Sequence, residues 1–271
     1  MKIVFLGSGN VATHLARALK ASGNEIVQVY SRTAENAKLL AAQTGAEPVS
    51  VLGAVDPSAD LYIFSVKDDA LPEVIRQMPQ TNGVWVHTAG SIPATLFSSR
   101  KEAYGVIYPL QTFSRDRALP MHDVPLFIEG STPETTLFLK HLAGTLSAHV
   151  IPLSGEKRRY LHLAAVFACN FTNHMYTLAA DILRREQIPF DVLKPLITET
   201  AAKVMTMDPV KAQTGPAVRS DKEVMQRHLA LIDEPWEKEI YSLISKSIHN
   251  VFTGEQPDEQ SPGWSPTRKP D

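Results

Sequence analysis

A single cysteine, Cys169, occurs in 271 residues. That excludes an intramolecular disulfide and any metal cluster built on cysteine. Neither sign of charge is in excess: 27 lysines and arginines face 29 aspartates and glutamates, for a formal net charge of -2. With no local run of lysine and arginine either, the chain has no electrostatic footing for a nucleic acid or a membrane surface. No apolar stretch approaches the roughly eighteen residues of a membrane span, and no leader pattern precedes the first apolar strand. The expected location is cytoplasmic. Nine histidines occur, but no HExxH pair, so no metal is expected. A GxSxG elbow and a GxxxxGKS/T loop are also missing, which argues against a hydrolase of that kind and against a P-loop kinase. What remains is 44% hydrophobic and 21% charged, ordinary for a globular protein and long enough for two domains.

The strongest positive signal lies at residues 1–33. Lys2-Ile-Val-Phe-Leu6 reads as a buried strand that ends in Gly7-Ser8-Gly9-Asn10-Val11-Ala12. In such a GxGxxA turn the first glycine permits the tight bend and the second lets a diphosphate approach the backbone. The third small residue lets the following helix pack against the strand. A second strand, Glu25 to Tyr30, follows at the spacing of a dinucleotide fold. It ends in Ser31-Arg32-Thr33, where an NAD site usually carries an acid for the ribose 2′-hydroxyl. Two hydroxyls and a guanidinium suit a 2′-phosphate instead, so NADP is the expected cofactor. The competing readings are a structural glycine turn and a solvated arginine.

Farther along, strands and helices alternate. Helices are expected over Ala34 to Gln43, Leu71 to Met78 and Thr135 to Leu146. Strands are expected over Pro48 to Leu52, Asp60 to Val66, Gly83 to His87, Tyr104 to Tyr108, Leu126 to Ile128 and His149 to Leu153. That alternation implies an α/β, Rossmann-like, doubly wound parallel sheet with helices on both faces. Ligands of such sheets bind beyond the carboxyl ends of the strands. Gly7, Ser8, Gly9, Asn10 and Val11 fall at that edge, as do Ser31, Arg32 and Thr33. Val66 and Lys67, and the turn Thr88-Ala89-Gly90, lie there too; these are the expected cofactor contacts.

The pattern changes at Ser154. Gly155 to Arg185 reads as one long helix, and Asp191 to Met207, Asp221 to Ile232 and Glu234 to Val251 also look helical. The expected organisation is a cofactor domain over 1–153 and an all-helical substrate and dimerisation domain over 154–253. The proline-rich tail, 254–271, is expected to be disordered. On an ideal helix Asn173 lies about 20° and Asn170 about 80° from His162 around the axis. His162 is a candidate proton donor near neutral pH, and Asn170 and Asn173 are candidates to orient a carbonyl or an imine nitrogen. For each of them a hydrogen-bonded core residue is the plainer alternative. Arg219, just past Gly215-Pro216, suits a substrate carboxylate, or else a salt bridge with Asp221 or a nearby acid. Gln111, in Tyr108-Pro-Leu-Gln-Thr-Phe113, is either a ligand contact or part of an ordinary loop.

Six stretches together carry a resemblance. These are Gly7-Ser-Gly-Asn-Val-Ala-Thr-His14, Val66-Lys-Asp-Asp69, His87-Thr-Ala-Gly-Ser91, Tyr108-Pro-Leu-Gln-Thr-Phe113, His162-Leu-Ala-Ala165 and Thr214-Gly-Pro-Ala-Val-Arg219. They resemble bacterial Rossmann-like proteins with a C-terminal DUF2520 domain. The resemblance covers nearly everything but the tail. It implies a helical second domain like that of 6-phosphogluconate dehydrogenase, through which members dimerise. It also implies a relation to F420-dependent NADP reductase and pyrroline-5-carboxylate reductase. The wider group of β-hydroxyacid dehydrogenases uses a Lys-x-x-x-Asn pair on a helix. Here Val166 precedes Asn170 by four and Cys169 precedes Asn173 by four, so that mechanism does not carry over.

The expected function is therefore an NADP(H)-dependent oxidoreductase. It transfers hydride to or from a small carbonyl, hydroxyl or imine substrate in a cleft between domains. His162 and Asn170 would be catalytic, and Asn173, Arg219 and Gln111 would bind substrate. The alternative is a non-catalytic NADP(H)-binding sensor or scaffold.

Overall fold

The computed structural model describes residues 1–254; the expectation for the tail beyond them lies outside the described residues. The chain divides into two compact units, Met1–Thr172 and the chain from Asn173 onward.

The first unit is built on an eight-stranded sheet. Its strands are β1 (Lys2–Leu6), β2 (Glu25–Tyr30), β3 (Glu47–Val49), β4 (Leu61–Phe64), β5 (Val84–His87), β6 (Tyr104–Pro109), β7 (Leu126–Gly130) and β8 (Val150–Pro152). They lie in the order β3-β2-β1-β4-β5-β6-β7-β8. The first six reproduce the doubly wound order, whose switch point falls between β1 and β4. β1 and β4 carry near-continuous apolar side chains, Ile3 to Leu6 and Leu61 to Phe64, all buried, as a strand covered on both faces must. Helices α1 (Asn10–Ala21), α2 (Ala34–Thr44), α3 (Leu71–Gln77) and α4 (Pro133–Gly144) flank the sheet. One core cluster joins α1, α2 and α4 to one face. The other face is packed by α3 and by Trp85, Phe64 and Phe97, whose rings meet at centroid distances of 5.0–5.8 Å.

The sheet departs from the all-parallel expectation at its end. β7 pairs antiparallel with β6, and β8 runs parallel to β7. Residues 110–125, which join β6 to β7, hold no helix longer than the single turn Met121–Asp123.

The expected long helix is present but not uniform. α5 (Gly155–Ala165) passes into a π-helical stretch, Val166–Phe171, and then into α6 (Thr172–Arg185). Ser154 caps α5 by accepting from the Lys157 amide at 3.5 Å, which accounts for the change of pattern at that residue.

The second unit is helical: the rest of α6, then α7 (Lys194–Thr206), α8 (Pro209–Ala212), α9 (Lys222–Leu231) and α10 (Pro235–Thr253). Asp221 caps α9 by accepting from the Val224 amide at 3.2 Å. Arg185 on α6 donates to Glu237 on α10 at 2.9 Å, and His228 on α9 meets the Tyr241 hydroxyl on α10 at 2.8 Å. No helix among the described residues is long and apolar enough to cross a membrane.

Candidate active site

The turn after β1 is built for a close approach. Gly7 has φ +119°, and a Cβ there would run into the Ser65 carbonyl at the end of β4. Only glycine fits this position. The Gly7 amide donates to the Tyr30 carbonyl at 2.8 Å, which ties the carboxyl ends of β1 and β2 together. A Cβ added at Gly9 would meet no atom within 4 Å, so the space beside that residue is open. The first turn of α1 carries no acidic residue, and its N-cap, Gly9, supplies no side-chain cap. Amides at the start of a helix with no capping partner and no nearby acid suit an anion.

At the end of β2, Arg32 and Thr33 are exposed and Ser31 is half-buried. Arg32 has no hydrogen bond or ion pair among the described residues, so its fork is open to a phosphate. Lys67, after β4, is exposed as well, and Val66 is half-buried. After β5, the Thr88 hydroxyl donates to Ser65 Oγ at 3.1 Å, and the Ala89 amide donates to His87 Nδ1 at 3.2 Å. The expected cofactor residues thus share one edge of one sheet. An open glycine turn, uncapped helix amides and an unpaired arginine fit an NADP molecule.

A pair of titratable side chains sits beside the Thr88–Gly90 turn. His162, on α5, meets the Tyr108 hydroxyl at the end of β6 through Nδ1 at 2.9 Å, with the rings edge to face. A Cβ on Gly90 would lie 2.7 Å from that same Nδ1. Glycine at position 90 is therefore what lets the turn seat against the imidazole. One helical turn earlier, Arg158 is 1% exposed. It is ion-paired with Glu129 of β7 and donates to the Ile92 carbonyl at 2.6 Å. These bonds fix α5, and with it His162, to the sheet unit. Burial raises the pKa of the Tyr108 phenol, with Arg158 opposing. Behind the turn, His87 is fully buried, and burial, then the Arg158 charge, push its pKa down to about 4.

The other sequence candidates are placed differently. Asn170 and Asn173 are exposed. The π-helical stretch closes hydrogen bonds one residue later than an α-helix does, so it rotates the residues after it by about 100°. Of the three residues, His162 is the one hydrogen-bonded at a strand end. The Gln111 side-chain oxygen accepts from its own neighbour, the Thr112 amide, at 2.8 Å. Arg219 is exposed and forms no ion pair among the described residues. Asn10 uses its side-chain amide to hold the Phe113 carbonyl at 2.8 Å. Sequence reasoning missed Tyr108 and Arg158. Arg158 had a signal, since it stands four residues before His162 and so shares its helix face. Among the described residues no group of three or more His, Cys, Asp or Glu is placed to hold a metal.

Comparisons with known proteins bear on the family and the fold. Residues 2–86 match the model of the NADP oxidoreductase, coenzyme F420-dependent family, and residues 124–248 match DUF2520, a domain of unknown function. A search of curated proteins finds no match. The crystal structure of a protein from Bacteroides fragilis assigned as an NADP oxidoreductase is 48% identical. The similarity covers 92% of this chain and 98% of that one, at a TM-score of 0.86. A reductive aminase from Aspergillus terreus in complex with NADPH and ethyl levulinate is 17% identical over 93% of this chain and 94% of its own, with a TM-score of 0.69. An imine reductase from Myxococcus stipitatus in complex with NADP+ is 18% identical over 94% and 93%, with a TM-score of 0.62. The last two establish a shared fold. By the match over nearly its whole length, the chain belongs to the family of NADP oxidoreductases that join an F420-dependent-type N-terminal domain to a C-terminal DUF2520 domain.

Proposed function

We propose that this protein reduces, or in reverse oxidises, a small carbonyl, hydroxyl or imine substrate with NADP(H), and that His162 carries the proton. The Tyr108–His162 pair is the observation that supports it. A phenol whose pKa is raised by burial keeps its proton near neutral pH and donates it to Nδ1. With Nδ1 held by the phenol, Nε2 is the ring nitrogen left for a substrate oxygen or nitrogen. NADP(H), when bound, supplies the hydride chemistry. Gly7, Ser8, Gly9, Asn10 and Val11 would hold its diphosphate half, and Ser31, Arg32 and Thr33 its 2′-phosphate. Val66, Lys67, Thr88, Ala89 and Gly90 would flank the nicotinamide half.

Asn170 is the proposed second catalytic group. Gln111, Asn173 and Arg219 are proposed as substrate contacts on their chemistry alone. Residues 154–253 form one all-helical run of sequence, which we take as the substrate and dimerisation domain. Family membership and a hydrogen-bonded acid beside the nicotinamide-side turn favour a catalyst over a cofactor-reporting scaffold. The test is His162→Ala in an NADPH-consumption screen over a panel of carbonyls and imines. Turnover should fall by about a hundredfold or more while NADPH affinity, read by calorimetry, stays within about twofold. Undiminished turnover removes His162 from the role.

A further inference from the structure

The loop after β6 does not stay at its own end of the sheet. β6 is separated from β1 by β4 and β5, three strand spacings or about 14 Å. Yet residues 113–115 lie on the glycine turn and the start of α1. Asn10 donates to the Phe113 carbonyl at 2.8 Å, and His14 Nε2 donates to the Ser114 carbonyl at 3.0 Å. The His14 and Phe113 rings meet at 4.8 Å. Arg115 then donates through Nη2 to the carbonyl of Ser8, between the two glycines of the turn.

We propose that Arg115 is a ligand of the NADP(H) diphosphate, delivered to the glycine turn by this loop. The inference rests on the NADP(H) reading of that turn. Three observations carry it. First, Asn10 and His14 already anchor the loop, so the Arg115 bond is not needed to hold it there. Second, Arg115 is bonded to a neutral main-chain carbonyl and has no carboxylate partner among the described residues, so its charge is not neutralised. A guanidinium has five donors in a rigid fork, and the bond to Ser8 uses one. Third, Gly7-Ser8-Gly9-Asn10-Val11 contains no cation, the first turn of α1 has no acid, and the space beside Gly9 is open. A diphosphate there would face helix amides on one side and would need a cation on the other. Arg115 is fixed at that spot.

The experiment is calorimetric titration of the full-length protein with NADPH, with 2′-phospho-ADP-ribose and with adenosine 2′-monophosphate, which lacks the diphosphate. Arg115→Ala should weaken the first two by about tenfold or more and leave the third within about twofold. Arg115→Lys, which keeps the charge but not the fork, should fall between. Arg32→Ala should weaken all three, since each carries the 2′-phosphate. Unchanged NADPH binding in Arg115→Ala overturns the inference. So does an equal loss on adenosine 2′-monophosphate, because the defect would then be in the site as a whole. A wild-type protein that binds none of the three overturns the cofactor reading itself, a result separate from either of these.

Discussion

His87 shows how one buried side chain couples the site to stability. Its ring packs 5.7 Å from Phe97, its Nδ1 accepts from the Ala89 amide, and the whole residue is buried. Burial and the nearby Arg158 charge hold its pKa at about 4, against roughly 6.5 in an unfolded chain. The folded protein therefore refuses a proton that the unfolded chain accepts. The stabilisation is complete above about pH 6.5 and is lost as the pH falls from there toward 4, by about 3 kcal/mol. Urea unfolding at a series of pH values should show this acid slope, and His87→Gln should flatten it relative to the wild type. Equal slopes in the two proteins would mean His87 titrates normally. Nothing in the sequence marked this role, because His87 reads only as the last residue of a strand. The glycine turn was readable from sequence because its requirement is local, a positive φ at Gly7 next to a neighbouring strand. Tyr108 was not, because its partner His162 is 54 positions away.

At the level of elements, a polar anchor adds to the packing of Leu161 in tying α5 to the sheet. Arg158 reaches Glu129 on β7 and the Ile92 carbonyl, and its Nε has no partner of its own. Arg158→Met would leave Glu129 without its counter-charge. Because the Glu129 side chain is 28% exposed, water compensates in part, and the expected loss is about 3 kcal/mol, the low end for breaking a buried pair. Adding Glu129→Gln to that variant should recover part of the loss, since the stranded charge is then gone. Denaturant midpoints of the two single variants and the double variant measure both effects, and an unshifted midpoint for Arg158→Met would deny the anchor. The strands and flanking helices were readable because burial on both faces writes apolar runs into β1 and β4. The direction of β7 was not, since a strand's apolar run is the same in either direction. The π-helical stretch was hidden too, because Val166–Phe171 is apolar enough to read as continuous helix.

At the scale of the whole molecule, the two units are not built alike. The sheet unit has an extensive core. Among the described residues from Asn173 on, only Ala217 and Glu237 are buried. Helices of 10 to 19 residues draw most of their stability from packing an apolar face, and this unit leaves its faces open. Met205 is 82% exposed, Leu231 80% and Leu243 71%, and on α5 Tyr160 is 69% exposed. Apolar side chains spread over successive helices in this way fit an obligate interface better than a solvated surface. This is the basis for proposing that two copies associate through the helical domain. Such a dimer folds as it assembles, so its unfolding midpoint should rise with protein concentration. Sedimentation should return twice the chain mass at micromolar concentration. Leu243→Asp separates the alternatives cleanly. In solvent it would change stability by less than about 0.5 kcal/mol. In an apolar interface it buries an unpaired carboxylate, and it should drive the protein toward monomer and lower the midpoint. A monomeric wild type whose midpoint ignores concentration would mean that the helical unit is stable without a second copy.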